Sequence, residues 1–320
     1  MLKNFWRNLN KPFFCLAPMA DVTDAAFRRV IAKYGKPDVI WNEFISVDGL
    51  LHPKGRENLM LDLKYDESER PIVAQIFGND PAKFRDAAAL LSDHGFDGID
   101  VNFGCPAKVI SRQCAGASLI DDPKRAMEIM RATKEGAGDV PVSVKTRLGH
   151  KSDVLEEWLP VLLETEPVAI TIHARTAKEM SKVPARWERI ARAREIMEER
   201  GSKALLIGNG DVRDLVDGRE RALKYGADGV MLGRAVFGDP WCFNTDIKRE
   251  EVAPKERMRV LLEHSRLFDE LVSHKSFAVM RKHFKAYTLG IPDVHALREA
   301  LMETQNADDV EGVLGRFRML

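Results

Sequence analysis

The 320-residue chain has few cysteines: Cys15, Cys105, Cys114 and Cys242, none in a C-x-x-C pair. So few thiols in a chain this long make no disulfide framework, which points to reduced thiols and a cytoplasmic protein. It has no net charge either, since 49 Lys and Arg balance 49 Asp and Glu. Overall charge therefore does not force polyanion binding, although a local basic face stays open. No apolar run near the start approaches the about 20 residues that a bilayer demands, and Phe13 to Met19 lacks a signal-peptide layout. The eight histidines form no H-x-x-x-H or His/Cys cluster, so no metal site is expected. A Gly-x-Ser-x-Gly elbow is missing too, and with it the nucleophile of a serine hydrolase. What remains is an ordinary globular composition, 45% hydrophobic and 31% charged, with enough chain for a sizeable core.

Short β-type runs alternate with stretches of helical period. The strands are expected at 13–18, 39–44, 72–77, 98–101, 142–146, 169–173, 204–207 and 229–232. Several are continuous apolar runs, as strands covered on both faces are. This α/β pattern of eight βα units predicts a (β/α)8 TIM barrel over residues 1–240 rather than a doubly wound sheet. After Trp241 the strand signals stop, and helices are expected at 255–272, 276–288, 293–304 and 307–317. Residues 241–320 thus form a smaller C-terminal helical domain, with the boundary near Asp239-Pro240.

Chemistry in such a barrel sits at the C-terminal ends of the strands. Those ends carry Pro18-Met19, Asn42-Glu43, Gln75, Asn102 with Cys105, Lys145, His173, Asn209-Gly210-Asp211 and Gly233-Arg234. Glycine turns after the last two strands suit a phosphate, although Gly-Asn-Gly-Asp alone is also an ordinary tight turn. Lys145 lies in an apolar strand and needs an anionic or electron-rich partner, such as a cofactor ring that becomes negative on reduction. His173 invites the same argument, yet lone histidines are more often hydrogen-bonded core residues. Gln75 has the alternative of bonding neighbouring backbone. Cys105, in Asn102-Phe103-Gly104-Cys105-Pro106, is either a small buried hydrophobe or a rim thiol able to act as nucleophile or proton donor.

Taken together these stretches resemble the tRNA-dihydrouridine synthase family. The matching segments are Leu16-Ala17-Pro18-Met19-Ala20-Asp21-Val22-Thr23-Asp24, Gln75-Ile76-Phe77-Gly78 and Asp100-Val101-Asn102-Phe103-Gly104-Cys105-Pro106. Further along come Val144-Lys145-Thr146-Arg147, His173-Ala174-Arg175-Thr176, Gly208-Asn209-Gly210-Asp211 and Gly229-Val230-Met231-Leu232-Gly233-Arg234. Single pieces are weak signals; the ordered set covers the barrel and is specific. The resemblance implies an oxidoreductase that uses FMN, with NADPH or NADH as reductant, to reduce the C5=C6 bond of particular uridines in tRNA. By motif, Pro18, Met19, Ala20 and Gln75 would line the flavin, and Lys145 and His173 would contact its ring or the uracil. Asn209, Gly210, Asp211, Gly233 and Arg234 would hold the ribityl and phosphate end. Cys105 would be the general acid, the flavin giving hydride to C6 and the thiol a proton to C5. Asn102 would position the uracil, and Arg175 would meet the substrate.

The helical domain supplies the expected RNA contacts. From Leu271 to Pro292 there is no acidic residue, while Lys275, Arg281, Lys282 and Lys285 are basic and Phe277, Met280, Phe284 and Tyr287 recur at helical spacing. A solvated basic face on a packed helix is the plainer alternative, and the resemblance tips the reading to RNA-backbone binding by Arg281, Lys282 and Lys285. Three features depart from the family pattern. Glu179, Ser181 and Val183 stand where Gln, Tyr and Gly are common, Cys114 stands where glycine is common, and the helical tail matches less closely. Two rival readings are an FMN barrel acting on a small molecule such as dihydroorotate, and an RNA-binding barrel without catalysis. The chain is expected to be a monomer free of membrane partners.

Overall fold

A computed structural model describes residues 4–320. Its strands are β1 (Phe13–Leu16), β2 (Val39–Trp41), β3 (Ile45–Ser46), β4 (Ile72–Phe77), β5 (Gly98–Phe103), β6 (Val142–Gly149), β7 (Ala169–Thr176), β8 (Leu205–Asn209) and β9 (Gly229–Leu232). They pair in parallel in the order β2-β1-β9-β8-β7-β6-β5-β4-β3, and pairing of β2 with β4 closes the ring. The fold is the expected TIM barrel followed by helices.

Two strand expectations are corrected. The strand at 39–44 is broken: β2 and β3 form one stave on β4, with Trp41 opposite Val73 and Ile45 opposite Ile76. Four steps on one side match three on the other, as in a bulge. At the break the Asn42 side-chain Oδ1 accepts the Gln75 backbone N–H at 2.8 Å, taking the place of a ladder carbonyl. Strands β5 to β8 in turn run past their expected ends, so Asn102, Lys145 and His173 lie inside strands. The apolar signal fades there because inward positions turn polar, while the ladder continues with Arg147 opposite His173 and His173 opposite Asn209.

Helix starts follow their caps. Asp24 accepts the Phe27 N–H at 2.9 Å, and Asp80 and Asp122 cap helices that open on Pro81 and Pro123. The helical stretch between β3 and β4 is split by Pro53 into Val47–Leu51 and Pro53–Asp62. The barrel floor is closed by a 3-10 turn, Phe5–Asn8, whose Phe5 and Trp6 join Phe13, Trp41, Ile207 and Met231 in an apolar plug. Trp6 and Trp41 lie 5.8 Å apart between ring centroids.

The tail folds as helices Pro254–Leu271, Arg281–Tyr287, His295–Met302 and Ala307–Arg316. The helix expected at 276–288 begins instead as a 3-10 turn, Phe277–Met280, opened by Ser276. Phe277, Met280, Phe284 and Tyr287 are all buried, packed with Met258, Leu261 and Phe268 and with Ala26 and Val30 of the first barrel helix. The stripe is therefore the tail's core. Lys275 of the tail reaches back to the barrel, its Nζ 2.8 Å from Glu43 and 2.9 Å from Asp62. Among the described residues no helix is long and apolar enough to cross a membrane.

Candidate active site

Alternation along the strands builds the mouth of the barrel. Asp100 and Asn102 of β5, Ser143, Lys145 and Arg147 of β6, and Thr171, His173 and Arg175 of β7 share the inward face of their strands. Above them opens a cavity of about 740 Å³ lined by Pro18, Met19, Gln75, Asn102, Cys105, Lys145, His173, Arg175, Asn209, Gly210, Asp211, Gly233 and Arg234. Ala20 is exposed and lies outside that lining. Arg281, Lys282 and Lys285 sit on the tail helix and not at the mouth; Arg281 and Lys285 are exposed, and none of the three meets a carboxylate among the described residues.

Sequence reasoning left several lining residues unassigned: Phe44, Arg147, Met180, Ser181 and Arg213. For Arg147 a signal existed, because it stands two residues after Lys145 and so faces the same way. The others come from loops whose course no period reveals. Arg147 is almost fully buried and donates from Nε to the Gly104 carbonyl at 2.7 Å, tying β6 to the turn that carries Cys105.

Cys105 sits just past β5. The Asn102 Oδ1 accepts the backbone N–H groups of Gly104 and Cys105, each at 2.9 Å, and so shapes the turn. Burial pushes the thiol's pKa above its ordinary value, against the pull of the Ala107 N–H and the cations Arg147 and Lys145. The sulfur thus keeps its proton at neutral pH, as a proton donor must. From the far side Gly116 presses on this turn at a φ of 63°, where an added Cβ would stand 2.9 Å from the Cys105 carbonyl oxygen. Cys114 is exposed, stays off the cavity lining and has a φ of 52°. That left-handed backbone is a physical reason for glycine to be favoured there.

Lys145 meets no carboxylate among the described residues, and its ammonium donates to Asn209 Oδ1 at 3.5 Å. Burial, then the charge of Arg147, lowers its pKa to about 8. His173 is held neutral by burial and by the surrounding cations Arg147, Lys145, Arg175 and Arg234. Arg175 Nη1 lies 3.1 Å from His173 Nε2, and a guanidinium only donates, so the ring's hydrogen sits on Nδ1. Arg175 itself is buried; it also donates to the Val183 carbonyl at 2.6 Å and to Asp211. It therefore ties the 177–186 loop and the Gly210-Asp211 turn to β7. Glu179 pins the same loop, accepting the Thr176 N–H at 2.7 Å and Arg186 Nη1 at 2.7 Å.

On the turn after β8 Asp211 accepts from Arg234 Nη2 at 2.6 Å, so two arginines outweigh one carboxylate. The Arg234 side chain is 65% exposed, with donors left over for an anion. Gly210 has a φ of 124°, and a Cβ there would stand 2.8 Å from Ala185 and 3.2 Å from the His173 ring. Trp187 Nε1 fixes this turn by donating to the Gly210 carbonyl at 2.8 Å. The cavity therefore has a chemically graded lining: Pro18, Met19 and Met231 are apolar, Gln75, Lys145 and His173 are polar, and Gly210, Gly233 and Arg234 make a cationic end. A flat heteroaromatic ring carrying a phosphate chain fits that grading, and the unpaired Lys145 ammonium gives the ring an electrostatic partner.

Residues 15–316 match the family described as "Dihydrouridine synthase (Dus)". The chain belongs to the dihydrouridine synthase family. It is thus an enzyme, an oxidoreductase of a flavin-dependent family. A protein of Staphylococcus aureus (strain COL) named "Probable tRNA-dihydrouridine synthase" is 41% identical over 320 residues, covering 99% of this chain and 96% of its own. The Bacillus subtilis (strain 168) protein "Probable tRNA-dihydrouridine synthase 2" is 39% identical, covering 99% and 97%. Among solved structures, histamine dehydrogenase from Rhizobium sp. 4-9 aligns with a TM-score of 0.55 at 14% identity, over 79% of this chain and 48% of its own. A morphinone reductase variant aligns at 0.51 and 14% identity, over 72% and 85%. Those two likenesses are of the fold alone.

Proposed function

We propose that this synthase reduces the C5=C6 bond of uridines in tRNA, with FMN bound at the barrel mouth, NADPH as the reductant and Cys105 as the proton donor. The observation that carries the reading is the Cys105 thiol opening on the same cavity as His173 and a Lys145 that meets no carboxylate among the described residues. The names of the 41% and 39% identical relatives support tRNA as the substrate. Pro18, Met19 and Gln75 would line the flavin, Lys145 and His173 would face its ring or the uracil, and Gly210, Gly233 and Arg234 would hold its phosphate end. Asp211 would hold Arg234 in place for that contact. When bound, the flavin supplies the hydride that C6 of the uracil receives.

The chain's own residues do the rest. Cys105 gives its proton to C5, and the thiolate left behind lies in the field of Arg147 and Lys145. The same two cations oppose the enolate-like charge that grows on the uracil before protonation. Asn102 holds the Cys105 turn so that the sulfur meets one face of a base in the cavity. A tRNA base must leave its stack to arrive there, at a cost of a few kcal/mol that RNA contacts offset. Arg281, Lys282 and Lys285 are free to make such contacts with phosphates.

The test is direct. The purified protein is examined for a flavin spectrum, then mixed with NADPH and unmodified tRNA under low oxygen, and the RNA is mapped by mass. A flavin spectrum with two hydrogens gained on a uridine is the expected result. A flavin without RNA reduction moves the reading to a small-molecule substrate, and no flavin after reconstitution overturns the cofactor.

A further inference from the structure

We propose that Asp100 is a positioning residue for the chemistry at Cys105: from beneath the cavity its carboxylate sets the sense of two side-chain amides, Gln75 and Asn102, and through them the turn that presents the thiol. This rests on the reading of Cys105 as the proton donor.

The argument is one of donors and acceptors. Two backbone N–H groups, those of Gly104 and Cys105, reach a single atom of Asn102 at 2.9 Å each. Two donors need an acceptor, so that atom is Oδ1. Nδ2 then donates to Gln75 at 2.9 Å, and the facing atom of Gln75 must be Oε1. Its Nε2 is left to donate to Asp100 Oδ2 at 2.6 Å. Ser143 Oγ donates to the other carboxylate oxygen at 2.5 Å, and Asn42 Oδ1 accepts the Gln75 backbone N–H at 2.8 Å. Each link fixes the direction of the next.

Burial gives the chain its force. Asp100 and Gln75 are 0% exposed and Asn102 is 5% exposed, so solvent offers little substitute partner. With the acceptor at Asp100 gone, Gln75 is free to turn over and set its Nε2 against Asn102 Nδ2. Asn102 then turns as well, bringing a donor against the N–H groups of Gly104 and Cys105. A buried donor left without an acceptor loses its solvation with nothing in return, so the turn shifts rather than bear it. A carboxylate suits the root of such a chain because it has no donor face and cannot be satisfied in the inverted sense. An asparagine keeps the native sense when its Oδ1 faces Gln75 and its Nδ2 faces the Ser143 hydroxyl, which can accept as well as donate, so it is the conservative replacement. Asp100 also supplies the nearby negative charge that favours the Lys145 ammonium against its burial.

The experiment uses the full-length protein and two readouts. One is the pH profile of Cys105 alkylation by iodoacetamide, peptide-mapped so that Cys114 is scored apart, in the protein freed of flavin. The other is kcat and KM with NADPH and tRNA. In Asp100→Ala the alkylation midpoint should fall by about one unit toward that of an ordinary thiol, as the loosened turn exposes the sulfur. The kcat should drop about tenfold or more while KM for RNA stays within about threefold. Asp100→Asn, able to present an oxygen to Gln75, should recover both to within about threefold of wild type. A wild-type alkylation profile in Asp100→Ala overturns the inference, and so does a loss confined to KM. If Asp100→Ala does not accumulate folded, Gln75→Leu cuts the chain one link higher and must move the same profile. Turnover by Cys105→Ala with a shifted profile in Asp100→Ala removes the proton-donor reading and leaves the orientation chain standing. An inactive Cys105→Ala with an unshifted Asp100→Ala profile removes the chain alone.

Discussion

Buried histidines occur at the barrel mouth and in the helical tail, in opposite company. His173 lies among arginines and a lysine, takes a hydrogen bond from Arg175 and opens on the cavity. In the tail His264 and His283 pack edge to face with centroids 4.6 Å apart, and Phe27 lies 5.4 and 5.0 Å from them. None of their four ring nitrogens has a hydrogen-bond partner among the described residues. Burial keeps all three neutral, for different ends. At the mouth, polar side chains are sunk together and wired to one another, so that each is held in one protonation state and one direction. In the tail, the rings serve as packing, and the charges of Arg281 and Lys285 point outward. At the mouth the buried polar residues have polar partners and open on the cavity, whereas in the tail they are packed among rings.

The largest expected effect isolates the mouth. Cys105→Ala should lose about 10²–10⁴-fold in dihydrouridine formation while flavin retention and RNA binding persist, the range that general acids contribute. Wild-type turnover would sink the assignment and direct attention to Cys114.

Acid should then test the packing histidines of the tail. Burial lowers His264 to about 3 and holds His283 well below its usual range. Both bind protons more readily when unfolded, so their contribution is complete above the ordinary histidine pKa and is lost as pH falls below it. The loss is about 1.4 kcal/mol per pH unit for each histidine. Buried carboxyls such as Asp24 and Asp100, raised to about 7 and about 6, act in the opposite sense over the same range, so the histidine part is read as a difference: between pH 7.5 and 4.5, His264→Leu should lower the proton uptake on unfolding by about one relative to wild type. An unchanged uptake in the variant would refute the neutral packing role.

Glycines sharpen the contrast. Gly210→Ala forces a side chain onto a φ of 124° and against Ala185, and should cost about 1–3 kcal/mol and lower the flavin-to-protein ratio after gel filtration. Gly312, in the last tail helix, has no neighbour within 4 Å of an added Cβ. Gly312→Ala should instead stabilise by about 0.5–1 kcal/mol with the flavin ratio unchanged. The smallest effect concerns the outward charges. Reversing Arg281 and Lys282 to Glu should weaken RNA binding and reduce the salt slope by about 1 for each phosphate no longer neutralised. A slope equal to wild type would free that surface of its RNA role.

Much of the barrel was legible because its signals are local. Apolar runs marked the staves, and Asp24, Asp80 and Asp122 marked the helix starts. Strand ends were misjudged wherever the inward face turned polar, which stops the apolar signal without stopping the ladder. The break at Asn42 was hidden for a related reason, since a side chain replaces a backbone carbonyl there and leaves no trace in periodicity. Lys275 read as one more basic residue of an RNA surface, yet its ammonium is paired with Glu43 and Asp62 across 232 and 213 positions.

By itself the sequence determined the class of fold, the order of the staves and the family, because alternation, caps and ordered motifs are written in neighbouring residues. Only the tertiary structure decided which polar residues act as a unit. Gln75, Asp100, Asn102 and Ser143 lie on three strands, Arg175 lies on a fourth, and Asp211 and Arg234 follow two more. Their hydrogen bonds exist only because closure and register of the barrel bring side chains far apart in the chain within 3 Å. A hydrogen bond falls off steeply with distance and angle, so its presence is settled by the packed geometry and not by the residues alone.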